Sequence, residues 1–350
     1  MSVPVDSEQG IGPEDPPRNG YYASGANVDS EQGMGPEDPM RNDYAYGSSG
    51  AQMQRTESFA MDPATFEKLF LNPQTNVHGD LRKMFAVPTP LALVGFGIAL
   101  TPLACCLMGW RGSNNQKMGV ADIGAYFWLG GLAVMLAAFG EWLLGNTFAF
   151  TVFSGYGAWY LSYAATLQPF YNAQGAYAYV PQPTLEASAA QGQLTPGYTS
   201  SFGFILVFMT VFSFIVMVCS IRVNVPFFLL LLAVTLAFAL LSAALFLEHQ
   251  AIILITKAGG LEGMGNDAAA VATLARGEAR LKLTLRLVVG AGASFFVASM
   301  LNWFLLLAIM LAVVDFPLGL PVLDLSQIMK SRSQIRKENK AREATSLKMR

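Results

Sequence analysis

Six stretches of this chain are apolar for about as long as a helix needs to cross a bilayer, and that pattern restricts the fold more than any other feature. Each helical residue rises about 1.5 Å, so hydrocarbon about 30 Å thick requires roughly 20 apolar residues. Runs of this kind occupy 88–108, 123–144, 148–167, 202–221, 225–247 and 287–314, and the last carries no charge between Arg286 and Asp315. A soluble protein could bury six such helices only beneath a large polar surface. This chain is 53% hydrophobic and 13% charged, about half the charged fraction of an average soluble domain, so that surface is missing. The expected fold is an all-α integral membrane protein with a six-transmembrane-helix bundle over 88–314. No apolar signal-peptide core occurs in the first 80 residues, so the first run is expected to be a span.

The charges sit at the two ends. Residues 1–80 hold 13 acids against 4 bases, and residues 324–350 hold 3 acids against 8 bases, so the net charge of −2 conceals two tails of opposite sign. Nucleic acid is not indicated. The stretch from Val5 to Pro16 returns 23 residues later with Met34 in place of Ile11. Two copies do not build a solenoid. Rich in Gly, Pro, Asp, Glu and Ser, this tail buries too little apolar surface to offset its chain entropy, and 1–61 is expected to be disordered. Residues 62–87 then form a pre-membrane segment, and 315–350 a basic C-terminal tail. The density of basic residues in that tail favours both termini in the cytoplasm. Between the fifth and sixth runs, Arg276, Arg280, Lys282 and Arg286 suggest an amphipathic helix over 268–287 at the membrane surface.

An enzyme is not expected, because no nucleophile, base and orienting residue occur together and no glycine-rich phosphate loop precedes a helix. No metal or cofactor is expected either. Cys105, Cys106 and Cys219 lie in apolar stretches, and His78 and His249 are too few for a histidine metal centre. The residue that stands out is Glu141, an ionisable group one turn before a break at Gly145 and Asn146. In hydrocarbon such a carboxylate must be paired, protonated or at the interface. The helix that begins at Asn146 or Thr147 offers free N–H groups and a positive dipole end to a passing carboxylate. Along it Thr147, Thr151 and Ser154 share one face, and Val152, Tyr156, Trp159 and Tyr163 another. Either face could line a path, and hydroxyl residues also serve packing between membrane helices. Gly290, Ser294 and Ala298 have the spacing of a close helix contact, and Asn302 on the same run is read as a packing hydrogen bond.

Two segments carry a resemblance. Pro88-Thr-Pro-Leu-Ala-Leu-Val-Gly-Phe96, which includes Pro90 and Leu91, and Gly145-Asn-Thr-Phe-Ala-Phe-Thr-Val-Phe-Ser-Gly-Tyr156 resemble the acetate uptake transporter family of bacterial succinate-acetate permeases and fungal acetate transporters. The lead-in from Phe66 to Pro73, the stretch from Gly79 to Lys83, and the ending from Leu320 to Ser326 look like its fungal branch, so the resemblance covers about 62–326. It implies six helices per protomer, a plasma-membrane homohexamer, and a path within each protomer for acetate-sized carboxylates, moved with protons or as anions. It also implies a constriction of a Phe, a Tyr and a Leu. These match Phe96, Tyr156 and a position near Val234, with Leu231 and Leu232 as alternatives. The family's Glu before Gly-Asn-Thr matches Glu141, and the vestibule would use Pro88, Pro90, Leu91, Asn146, Thr147 and Thr151. Tyr156 is expected to donate a hydrogen bond to the carboxylate. The chain departs from the family at Val87, where an Asn is usual, and at Ala92 and Ala149, where Gly is usual. Such departures leave a membrane sensor of acetic acid as an alternative function, and the resemblance to fungal members also leaves an ammonium exporter.

Overall fold

A computed structural model of the chain describes residues 85–114, 118–259, 268–320 and 322, together with 336 and 339. The acidic tail with its repeat, most of the pre-membrane segment and most of the basic C-terminal tail lie outside the described residues. Among the described residues the structure is helical and contains no strand. The first helix, α1 (Thr89–Met108), starts with Pro90 in its first turn, where a missing N–H costs nothing, and stops at Gly109, whose φ of 71° lets its N–H reach back to Cys105 and Cys106. The second, α2 (Val120–Leu143), contains a π-helical stretch, Tyr126–Ala133. At Gly145 the backbone turns with φ 75°, and Asn146 caps α3 (Thr147–Leu167) by accepting from the Ala149 N–H at 3.4 Å. A short helix, α4 (Leu185–Gln193), precedes α5 (Pro196–Ser220), α6 (Val225–Lys257) and α7 (Ala268–Val313).

Five of these helices, α1, α2, α5, α6 and α7, are long and apolar enough to cross a membrane. The sixth expected span, α3, has 21 residues but is less apolar. Its Tyr, Thr and Ser residues lower its hydropathy without adding a charge. They also let it pack: Val152, Phe153, Tyr156, Tyr160 and Tyr163 are all buried, so α3 lines the interior of the bundle.

Bare backbone brings α1, α2 and α3 together. A β-carbon at Gly95 would lie 2.4 Å from the Leu129 carbonyl oxygen, and one at Gly130 would lie 2.7 Å from the Tyr160 ring and 2.8 Å from Ala99. On its other side α1 meets α7 through Gly97 and Gly292. Of the small residues singled out in the sequence, Gly290 faces Leu240 of α6 and Ala298 is buried in the same protomer.

The expected surface helix over 268–287 is not a separate element. It is the first part of α7, a continuous helix of 46 residues, about 69 Å long at 1.5 Å per residue and so about twice the hydrocarbon thickness. Its partner α6 is also over-long, at 33 residues. The physical reason is an apolar seam that the charges obscured. Gly277 admits Ile255 at 2.8 Å from its would-be β-carbon, Leu274 and Thr284 are buried, and Arg280 hydrogen-bonds Gln250. The basic residues lie on the outer side of a helical hairpin, with Arg276, Lys282 and Arg286 exposed.

Candidate functional site: a mouth and an aromatic constriction

The N-terminus of α1 and the turn between α2 and α3 meet at one end of the bundle, where Pro88 packs on Gly140. Here Glu141 is only 1% exposed. Thr89 Oγ1 donates to its Oε1 at 2.5 Å, Asn146 Nδ2 donates to its Oε2 at 2.9 Å, and the Asn146 N–H bonds the Glu141 carbonyl at 2.9 Å. Of the three fates open to an intramembrane carboxylate, the chain adopts pairing, with donors from two separate helices. Each carboxyl oxygen is thus held by one hydrogen bond. The same Asn146 uses its Oδ1 to cap α3, so one amide fixes both the carboxylate and the start of the helix.

Seven residues along α1 from Thr89, about 10 Å deeper at helical rise, Phe96 meets α3. Its ring lies 5.7 Å from that of Tyr156, edge-on at 62°, and 6.0 Å from that of Tyr160. Phe96 and Tyr156 line a cavity of about 20 Å³ together with Ala92, Leu93, Leu231 and Asn302, among others. A space of this size holds about one water. A molecule of acetate's size does not fit this space unless the rings turn. Ala92, where the resemblance expects Gly, adds a methyl group to this wall.

Helical phase separates the three candidates for the third constriction position. Leu231 lines the cavity, Val234 is buried one turn further along α6 and is not part of the lining, and Leu232 is 42% exposed on the outer side. The Tyr156 hydroxyl donates to Ser213 Oγ at 2.9 Å. The donor anticipated for a carboxylate is thus committed to α5. Outward-facing residues form another group: Leu91 is 45% exposed, and Thr147 and Thr151 are exposed, with the Thr151 hydroxyl bonded back to the Thr147 carbonyl at 2.8 Å. Of the two faces of α3, the aromatic one points inward. Pro88 and Pro90 are half-buried at the mouth.

Beyond the constriction, toward the loop that carries α4, rings continue in contact. Tyr160 stacks near Tyr126, with centroids 5.9 Å apart, and Tyr126 contacts Tyr163 at 5.4 Å. Tyr163 in turn meets Phe202 at 6.4 Å. Three features of this region are not evident from sequence: the bond of Thr89 to Glu141, that of Ser213 to Tyr156, and the cavity position of Asn302. A polar residue inside an apolar run was the available signal for the last two. The three cysteines are unpaired, and among the described residues no group of His, Cys, Asp and Glu is arranged to hold a metal.

Known proteins resemble this chain over much of its length. Protein alcS of Aspergillus fumigatus is 35% identical over 277 residues, covering 79% of this chain and 89% of that protein. Acetate permease A of Emericella nidulans is 33% identical over 186 residues, covering 52% of this chain and 58% of that protein. The solved bacterial acetate channel SatP covers 68% of this chain and 99% of its own, at 20% identity and a TM-score of 0.41. The profile of the GPR1/FUN34/yaaH family matches residues 70–327, from the pre-membrane segment through all the long helices, and the chain is a member of that family.

Proposed function

We propose that the protein is a plasma-membrane transporter, a proton-coupled carrier or anion channel, for acetate and similar small monocarboxylates. In this reading α3 is the sixth span, both termini are cytoplasmic, and six copies assemble with one path in each. The observation that carries the reading is the Phe96–Tyr156 pair, which closes an apolar cavity about 10 Å below the hydrogen-bonded Glu141. Pro88, Pro90, Glu141 and Asn146 form the mouth, and the start of α3 attracts a carboxylate there through its dipole. An apolar constriction disfavours water, so a solute whose body is a methyl group passes more readily than a hydrated ion. Phe96, Tyr156 and Leu231 supply those walls. Leu91, Thr147 and Thr151 face lipid or neighbouring protomers.

Purified full-length protein in liposomes is expected to take up labelled acetate from an acidic exterior faster than protein-free vesicles. Absence of that excess, with protein present in the membrane, contradicts the reading. An altered acetic-acid response of cells without flux would support a sensor instead, and accumulation of external ammonia an ammonium exporter. Native mass spectrometry in mild detergent is expected to give a hexamer, and monomer alone contradicts the assembly.

A further inference from the structure

One polar side chain beside the cavity at the constriction carries a buried acceptor with no partner. Asn302 of α7 is 0% exposed and lines the cavity. Its Nδ2 donates to the Leu93 carbonyl at 2.8 Å, and a β-carbon at Gly97 would sit 2.6 Å from that same nitrogen. Because the Leu93 carbonyl can only accept, this bond fixes which end of the amide is which. The Oδ1 atom is then left buried and without a partner. Of the five such atoms among the described residues, only this one belongs to a residue lining the cavity. One turn away the same seam is fully satisfied: Thr101 bonds Ser299 at 2.6 Å and accepts from the Trp303 indole at 2.9 Å. An orphan acceptor inside an otherwise closed seam is costly, at about 1–3 kcal/mol, and points to a guest that completes it.

We propose that Asn302 selects the protonation state of the substrate, accepting a hydrogen bond from the O–H of the undissociated carboxylic acid as it passes the constriction. The inference rests on the transport reading above. A carboxylate brings two acceptor oxygens and no donor, so it repels Oδ1. The other hydroxyl at this level, that of Tyr156, has its proton on Ser213. The constriction thus has apolar walls with a free acceptor buried behind them, a combination that suits a small neutral molecule carrying one donor. Oδ1 lies buried behind the cavity wall, and a guest meets it only as Phe96 and Tyr156 part.

The test compares two neutral molecules of acetic acid's size against labelled acetate uptake by full-length protein in liposomes. Acetamide donates hydrogen bonds and acetone does not. Acetamide is expected to inhibit protein-dependent uptake about tenfold more strongly than acetone, the worth of one hydrogen bond. In Asn302→Leu, normalised to folded protein, that ratio is expected to fall to about one, because the acceptor is gone. The wild-type comparison needs no variant, so poor folding of Asn302→Leu leaves the test intact. Equal inhibition by the two compounds, with acetate uptake present, overturns this inference alone. Uptake that fails to exceed protein-free vesicles overturns the transport reading, and this inference with it.

Discussion

Replacing Glu141 by Leu is expected to lower the amount of folded protein in the membrane severalfold, whereas Glu141→Gln retains most of it. In the leucine variant Thr89 Oγ1 and Asn146 Nδ2 lose their acceptor in a buried site. Each stranded donor costs about 1–3 kcal/mol, so roughly 2–6 kcal/mol is removed, a large share of a typical total stability. Gln keeps the shape. Its carbonyl oxygen can still accept from Asn146, and its amide can donate to the Thr89 hydroxyl, which both donates and accepts. Fluorescence-detected size exclusion after solubilisation reads the difference. Equal yields from both variants would show that the carboxylate does not tie α1 to the turn between α2 and α3.

The second large effect is expected at Gly95. A methyl group there meets the Leu129 carbonyl oxygen at 2.4 Å and Val134 Cγ2 at 3.0 Å. The first of these atoms is backbone and cannot rotate away, so the helices must separate. Overpacking of this kind costs about 1–3 kcal/mol and occasionally more, and Gly95→Val belongs at the upper end of that range. Because Phe96 is the next residue, the same displacement pulls its ring from Tyr156 and Tyr160. Gly95→Val should therefore lose both thermal stability in detergent and acetate uptake. A variant with unchanged melting and uptake would contradict the close approach of α1 and α2. Gly290, which has only Leu240 at 3.6 Å from its would-be β-carbon, should tolerate Ala far better.

Length and hydropathy placed the helices well, because a bilayer sets the length of a span and turns interrupt the apolar runs. They erred where one helix runs on well past the length of a span. In α7 the exposed Arg276, Lys282 and Arg286 read as a surface helix, yet Gly277 and Leu274 carry the same helix along α6. The mouth was legible because Glu141 is a lone carboxylate beside a glycine turn. What the turn could not tell was its partner on α1, since Thr89 is distant in sequence and its pairing depends on how the helices rotate. Position 231 could not be distinguished from 234 for a related reason. The early part of α6 is apolar on every side, so no periodicity reveals which residues face inward, and only the folded bundle shows Leu231 on the cavity lining and Val234 off it. Asn302 was legible as a polar residue in an apolar run but not as part of the cavity. Its spare oxygen follows from a hydrogen bond to a carbonyl on another helix.

The claim that acids cross each protomer between Phe96 and Tyr156 is tested most directly by Phe96→Ala. Removing the ring takes away the edge-on contact with Tyr156 at 5.7 Å and the contact with Tyr160 at 6.0 Å, and opens the small cavity beside them. Uptake of labelled succinate and of labelled acetate, each normalised to folded protein in the same liposomes, gives a ratio independent of yield. The ratio is expected to rise severalfold in Phe96→Ala, because a wider apolar gap relaxes the limit on solute size while leaving the mouth at Glu141 intact. If Phe96 only fills the core of the bundle, the variant reduces the quantity of folded protein and leaves the succinate-to-acetate ratio unchanged, and that result would contradict the assignment of the path.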